Sequence, residues 1–300
     1  MSQTKLQTGD KVVFQYGHLQ TLFNSLYKRN YTVVGPTIEQ EAIVYGQLGS
    51  ADELPVGYTD VQDGGTYRLK KRKDKAAFGY NVGPHSWKKY LHPPVKKLWQ
   101  AKRKENGFEI TEEKEGNKKY AFIGVRSCEI HAMTIQDKVF TGGQFTDNTY
   151  KSNRENAFIV AVNCGQAAST CFCESMKTGP EVVFGFDISL TEIIKPKSHC
   201  FLAEIGSDIA IDIIKEIPHQ NASDIDKETA HSIVEKTRGQ MGRKIDTSDI
   251  KELLYRNYEN PRWDEVAERC LSCANCTMVC PTCFCTTVED TTDLKGDNTE

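Results

Sequence analysis

The sequence predicts an α/β lobe, of α+β character, followed by a helical cysteine-bearing segment. Three observations carry this. Tyr120-Ala-Phe-Ile-Gly-Val125 and Ala157-Phe-Ile-Val-Ala-Val162 are continuous apolar runs of strand length, separated by the helix-like stretch Ile130 to Phe140. Strand, helix, strand with apolar runs is the pattern of a parallel unit buried on both faces. From Asp226 onward helical spacing takes over, and six cysteines then fall between Cys270 and Cys285.

Taken in order, Leu19, Leu22, Phe23, Leu26 and Tyr27 recur at i, i+3, i+4, i+7, i+8, the stripe of an amphipathic helix that Asn30 ends. Tyr31-Thr-Val-Val34 reads as a strand running into a turn at Gly35-Pro36, and Ala42-Ile-Val-Tyr45 as a second strand. Leu54-Pro-Val-Gly57 and Asp63-Gly-Gly65-Thr-Tyr67-Arg68 read as turn-rich connections. Beyond the central unit, Val182-Val-Phe184 and Phe201-Leu-Ala-Glu-Ile205 are expected strands, and Ile209 to Ile217 is apolar enough for core. Pro218 to Asp226 is the expected linker. Helices are expected from Asp226 to about Ile245 and from Asp249 to Tyr258, the latter with Ile250, Leu253 and Leu254 on one side. Asn260-Pro261 then supplies an N-cap and a first-turn proline to a helix bearing Trp263, Val266, Ala267 and Cys270. The expected division is 1–118, a turn-rich part of the lobe, 119–220, its α/β part, and 221–300, the helical segment.

Composition describes a globular chain: 38% hydrophobic, 26% charged, formal net charge −3. Such a balance does not point to nucleic acid or an anionic membrane. The basic stretches Arg68 to Lys75 and Lys96 to Lys104, interleaved with aromatics, read as solvated faces balanced by acids between Glu109 and Glu115. A patch for an acidic partner subunit is the minor reading. No apolar run approaches the roughly 20 residues that span a bilayer, and the first ten residues hold no apolar h-region. Eleven cysteines without an export signal argue for metal binding over disulfides, in an oxygen-shielded cytoplasm.

Cys270-Leu-Ser-Cys273-Ala-Asn-Cys276-Thr-Met-Val-Cys280-Pro281 is the C-x2-C-x2-C-x3-C-P run of two-cluster ferredoxins. Thiolates two residues apart let one tight loop wrap a 4Fe–4S cubane. The fourth cysteine is carried away, with Pro281 expected to hold Cys280 out of a regular helix. In two-cluster proteins Cys280 ligates the other cluster. Zinc fits less well, because its sites usually pair two C-x2-C knuckles across a longer spacer. The segment is thus expected to be a helical ferredoxin-like iron–sulfur domain.

A second group is Cys128, Cys164, Cys171 and Cys173, with Cys128 and Cys164 expected at the carboxyl ends of the two buried strands, where open α/β sheets bind ligands. Four thiols suffice for a further 4Fe–4S cluster, although C-x-C is not its usual spacing. The plain alternatives are buried small hydrophobes and a redox-active thiol pair. Cys200 stands alone and reads as an inert buried thiol. His131, on the helix after Cys128, reads as a packed helix residue.

Several segments resemble the beta subunit of sulfhydrogenase-type NiFe hydrogenases and the corresponding electron-transfer subunit of anaerobic sulfite reductase. They are Leu54-Pro-Val-Gly57, Tyr67-Arg-Leu69, Phe78-Gly-Tyr80 through Pro84 to Ser-Trp87-Lys88, Gly124-Val-Arg-Ser-Cys128-Glu129, Cys171-Phe-Cys173-Glu-Ser-Met176 and the ferredoxin run with Pro-Thr-Cys283-Phe-Cys285. The longer N-terminal segments favour the hydrogenase type. This resemblance implies an electron-transfer subunit with a dicluster domain, working beside a flavin subunit that handles NAD(P) and a catalytic hydrogenase or sulfite reductase subunit. It also favours a cluster at Cys128, Cys164, Cys171 and Cys173. Such proteins carry a second C-x2-C-x2-C-x3-C-P run downstream, whereas a polar tail from Thr286 to Glu300 follows Cys285 here. Either the chain is a piece of a longer one, or its dicluster domain is incomplete and Cys280, Cys283 or Cys285 closes one cluster locally.

The leading expectation is therefore an electron relay without catalytic residues of its own. No G-x-G-x-x-G follows a strand, and no Walker loop, H-E-x-x-H or G-x-S-x-G is present. The rival is a thiol-based sulfur or polysulfide reductase using Cys171 and Cys173. A third class is an iron–sulfur sensor or scaffold that binds a partner without passing electrons.

Overall fold

The computed structural model describes residues 5–81, 83–112 and 118–299. Val82, Glu113 and Glu115, which figured in the sequence reading, lie outside them, as do residues 1–4. The strands are β1 (Lys11–Gln15), β2 (Thr32–Glu39), β3 (Ala42–Gln47), β4 (Tyr58–Asp63), β5 (Thr66–Lys71), β6 (Trp99–Lys104), β7 (Gly107–Glu112), β8 (Tyr120–Val125), β9 (Phe158–Val162), β10 (Ile188–Lys195), β11 (Ser198–Ile205), β12 (Gln220–Asn221) and β13 (Asn298–Thr299). The α-helices are α1 (Leu19–Lys28), α2 (Lys88–Leu91), α3 (Ser127–Phe140), α4 (Asn148–Glu155), α5 (Asp208–Glu216), α6 (Asp224–Arg238), α7 (Ile250–Arg256), α8 (Arg262–Glu268) and α9 (Asn275–Val279).

An eight-stranded sheet in the order β12-β1-β11-β10-β9-β8-β2-β3 organises the lobe. Its centre is parallel, with β8 between β2 and β9 and β10 beside β9, while both flanks are antiparallel. Because successive strand residues point to opposite faces, β9 sends Phe158, Val160 and Val162 to one core and Ile159 and Ala161 to the other. The first core is closed by α1 through Leu22, Phe23 and Leu26 and by α5 through Ile213 and Ile214. Trp87, Leu91, Ile130, Met133 and Tyr150 close the second. On the same side as β1 and β11 place Val13, Cys200 and Leu202, Ala230 of α6 covers the sheet. Cys200 is buried there, as its isolation in the sequence suggested.

Both buried strands and the helix between them form as expected. Elsewhere the structure corrects the reading. Gly35-Pro36 is no turn but lies inside β2, where Pro36 faces Tyr45 of β3 and sits past Val34, the last residue paired with β8. A proline is tolerated in a strand where no ladder needs its missing N–H. The turn-rich stretch is a β4–β5 hairpin closed by Gly64-Gly65, with Gly65 at φ +70°. Val182 to Phe184 forms no strand, since Asn163 Oδ1 holds the Val182 amide at 2.7 Å. The strand beside β9 is instead β10, with the alternation Ile188-Ser-Leu-Thr. Pro218 to Asp226 is no free linker: β12 pairs with β1, and Ser223 caps α6 through Asp226. That helix stops at Arg238 rather than Ile245, with glycines at 239 and 242.

Candidate metal centre

The upstream cysteines are positioned by strand ends. A bulge at Gly124 (φ +89°) shifts register at the end of β8, and bulges re-aim the chain beyond them. Arg126 then leads into α3, its amide held by Glu129 Oε2 at 2.8 Å. Cys128 therefore sits in the first turn of that helix. Cys164 lies just past β9, its amide donating to the Pro180 carbonyl at 3.3 Å. The next loop carries Cys171 and Cys173, and the Ala168 amide donates to Cys171 Sγ at 3.3 Å. From the far side the chain after α6 straps this loop: the Arg243 amide donates to the Cys171 carbonyl at 3.1 Å, and Met241 Sδ lies 3.9 Å from Cys173 Sγ.

The fold thus brings together four thiols from three separate stretches. Each lies within electrostatic reach of the other three. Cys128 is exposed and Cys164, Cys171 and Cys173 are half-buried, and the space between them is the recess. Among the described residues no three His, Cys, Asp or Glu side chains converge tightly enough for a single metal ion. Four thiols spread around a shared volume are the arrangement a multi-iron cluster asks for. Two donors beside them lack any hydrogen-bond partner among the described residues: Asn81 Nδ2, whose Oδ1 is 3.9 Å from Cys171 Sγ, and Arg126 Nε. Unpaired buried N–H groups are costly, and sulfide or thiolate sulfur would satisfy them. The donor set and the orphaned N–H groups fit a 4Fe–4S cluster.

Electrostatics point the same way. Burial pushes all four thiols up, Cys173 to about 12 with Cys164 and Cys171 adding to it. A thiol held protonated is a poor nucleophile, whereas metal binding itself draws the proton off.

The downstream run is more open. Cys270 follows α8, which Asn260 Oδ1 caps by accepting the Arg262 amide at 2.9 Å. Ser272 and Ala274 adopt left-handed backbone, φ +52° and +57°. Left-handed residues next to right-handed ones are the backbone pattern of the anion-binding concavities that serve iron–sulfur sites. Cys276 rides on α9. Cys280, at that helix's end, is extended (φ −64°, ψ 120°), as its following proline dictates. Burial opposes ionisation of Cys280, and hydrogen bonds with Thr282 and Cys283 outweigh it, pulling its thiol below the ordinary range. Cys283 is likewise lowered, first by hydrogen bonding with Cys285, whose own thiol is raised by Cys283.

A relay of contacts that sequence reasoning missed runs between the sequence neighbours of the two groups. Lys88 Nζ donates to the Thr277 carbonyl at 2.6 Å, beside Cys276. The neighbouring Trp87 is buried with its ring stacked 3.8 Å from Tyr45, whose hydroxyl donates to Glu129 Oε1 at 2.5 Å, next to Cys128. Both residues stood in the Ser-Trp87-Lys88 segment, and Arg126 in Gly124-Val-Arg-Ser-Cys128. Nothing local announced their roles. His131 packs edge-on to Phe184 at 4.9 Å, the packed role expected of it.

Comparison with known proteins agrees with this chemistry. The 4Fe-4S dicluster domain family matches residues 269–300. Sulfhydrogenase 2 subunit beta of Pyrococcus furiosus is 31% identical, over 78% of this chain and 68% of that protein. This chain belongs to the sulfhydrogenase beta-subunit family. As a member of that family it is an iron–sulfur protein with 4Fe–4S clusters as its cofactor. No helix among the described residues is long and apolar enough to cross a membrane.

Proposed function

We propose that this beta-subunit relative is an electron-transfer subunit, passing electrons between a subunit that handles flavin and NAD(P) and a hydrogenase-type catalytic subunit, in an oxygen-shielded cytoplasm. Cys270, Cys273 and Cys276 hold one 4Fe–4S cluster in their loop, and Cys280 reaches away from it toward a neighbouring one. Cys128, Cys164, Cys171 and Cys173 hold a further cluster in the recess. The clusters supply one-electron chemistry when bound. The chain's own groups orient the thiols and offer N–H donors to sulfur. In this reading residues up to the strap at 239–245 frame the recess, so the cluster segment proper starts after it rather than near 221.

The observation that carries the proposal is the meeting of four thiols, drawn from three stretches, with unpaired donors on the neighbouring Asn81 and Arg126. A sulfur reductase acting through Cys171 and Cys173 is disfavoured by their upward-shifted thiols. The test is iron and acid-labile sulfide analysis with EPR on anaerobically purified chain and on the Cys171→Ser/Cys173→Ser double variant. Loss of about four irons with one reduced-cluster signal supports the relay. Unchanged iron, with sulfur-reducing activity that dies on alkylation, would replace it with the thiol reductase.

A further inference from the structure

Arg126 occupies an unusual place for a charge. Its side chain is 7% exposed, and its terminal nitrogen donates to the Phe78 and Tyr80 carbonyls at 2.9 and 3.1 Å, both neutral acceptors. The guanidinium also stands 5.4 Å from the centre of the Tyr80 ring. Glu129, the nearby carboxylate, is engaged with the Tyr45 hydroxyl and the Arg126 amide. A buried cation normally faces a matching anion. Here the group it stands beside in the recess is Cys164.

We propose that Arg126 is the fixed counter-charge of the upstream 4Fe–4S site and raises that cluster's reduction potential. This rests on the reading that Cys128, Cys164, Cys171 and Cys173 hold a cluster. Four thiolates give such a cluster net negative charge. Reduction adds one electron and breaks no bond, so a nearby positive charge favours the reduced form. The net charge of the site and hydrogen bonds to its sulfurs are the protein's levers on this potential. Arginine suits the task because it stays charged when buried and its planar fork is held by two carbonyls. Arg126 is a positioning and tuning residue, outside the ligand set.

The test is an EPR-monitored potentiometric titration of the whole chain as wild type, Arg126→Gln and Arg126→Lys, with iron counted in each. Arg126→Gln is expected to keep its iron and shift one cluster's reduction equilibrium at least tenfold toward the oxidised form. That is about 59 mV for one electron, with the other signals unmoved. Arg126→Lys, which keeps the charge, should shift less. If iron is retained and no potential moves, or if Lys and Gln shift it equally, the counter-charge role is wrong. Should Arg126→Gln lose iron, the lysine variant decides: retained iron near the wild-type potential supports the proposal, and lost iron overturns it. Failure of the underlying reading looks different, because the Cys171→Ser/Cys173→Ser variant would then keep all its iron.

Discussion

Lys88 Nζ lies 2.6 Å from the Thr277 carbonyl, so a lysine of the lobe holds the helix that carries Cys276. Hydrogen bonds from charged donors contribute about 1.5–3 kcal/mol when buried, and this half-exposed one should give the lower end or less. Lys88→Ala is expected to raise amide hydrogen exchange between residues 270 and 285 several-fold while leaving the exchange of β8 and β9 unchanged. Unaltered exchange in that segment would mean the contact holds nothing in place.

The downstream loop yields a second expectation. Cys276→Ser should remove about four irons per chain and leave the signal of the upstream group intact, as iron analysis with EPR would show. If both signals vanish together, the two cysteine groups do not hold independent clusters.

Gly124 tests the strand end that feeds the recess. A Cβ there would come within 3.2 Å of the Phe78 ring, at φ +89°. Left-handed backbone alone costs a non-glycine residue roughly 1–2 kcal/mol, and the ring contact adds to it. Gly124→Ala should therefore lower stability by about 2 kcal/mol in a urea unfolding series, with an unchanged m-value. A loss below a few tenths would show that the bulge relaxes freely.

Acid sensitivity should be traceable to two histidines. Burial lowers His85 and His92 below the usual imidazole value, and His92 stacks on Phe140 with centroids 4.5 Å apart. Both are favoured neutral in the fold, so the unfolded chain binds more protons as pH drops. Their contribution is fully present above about 6.5 and is lost as pH falls through the depressed folded values. His92→Phe, which keeps a ring against Phe140, should flatten the fall in melting temperature below that pH. An identical profile in the variant would rule His92 out.

How legible the site was depended on how local each feature is. Cys270 to Pro281 could be read at once, because the cysteine spacing and the extended Cys280 follow from neighbouring residues and one proline. The buried strands β8 and β9 were equally legible, since a run of apolar residues fits nothing but a two-sided interior. By contrast β10, Ile188 to Lys195, is hard to read from sequence because Ser189 and Thr191 are buried between its apolar residues, acceptable only against this particular sheet. Gly64-Gly65 reads as a loop, although it closes a hairpin that buries only Asp60 and so carries little hydrophobic pattern.

The sequence alone determined that this is an α/β lobe joined to a ferredoxin-type cysteine run, because thiol spacing and apolar run length are properties of contiguous chain. Only the tertiary structure decided that Cys128, Cys164, Cys171 and Cys173 come near one another, that Arg126 stands beside Cys164, and that Lys88 reaches the Thr277 carbonyl while Trp87 stacks on Tyr45. Those relationships depend on parallel strands ending at one edge of the sheet and on a strap arriving from beyond α6. Contacts across such sequence separations are fixed by packing, which no local pattern records.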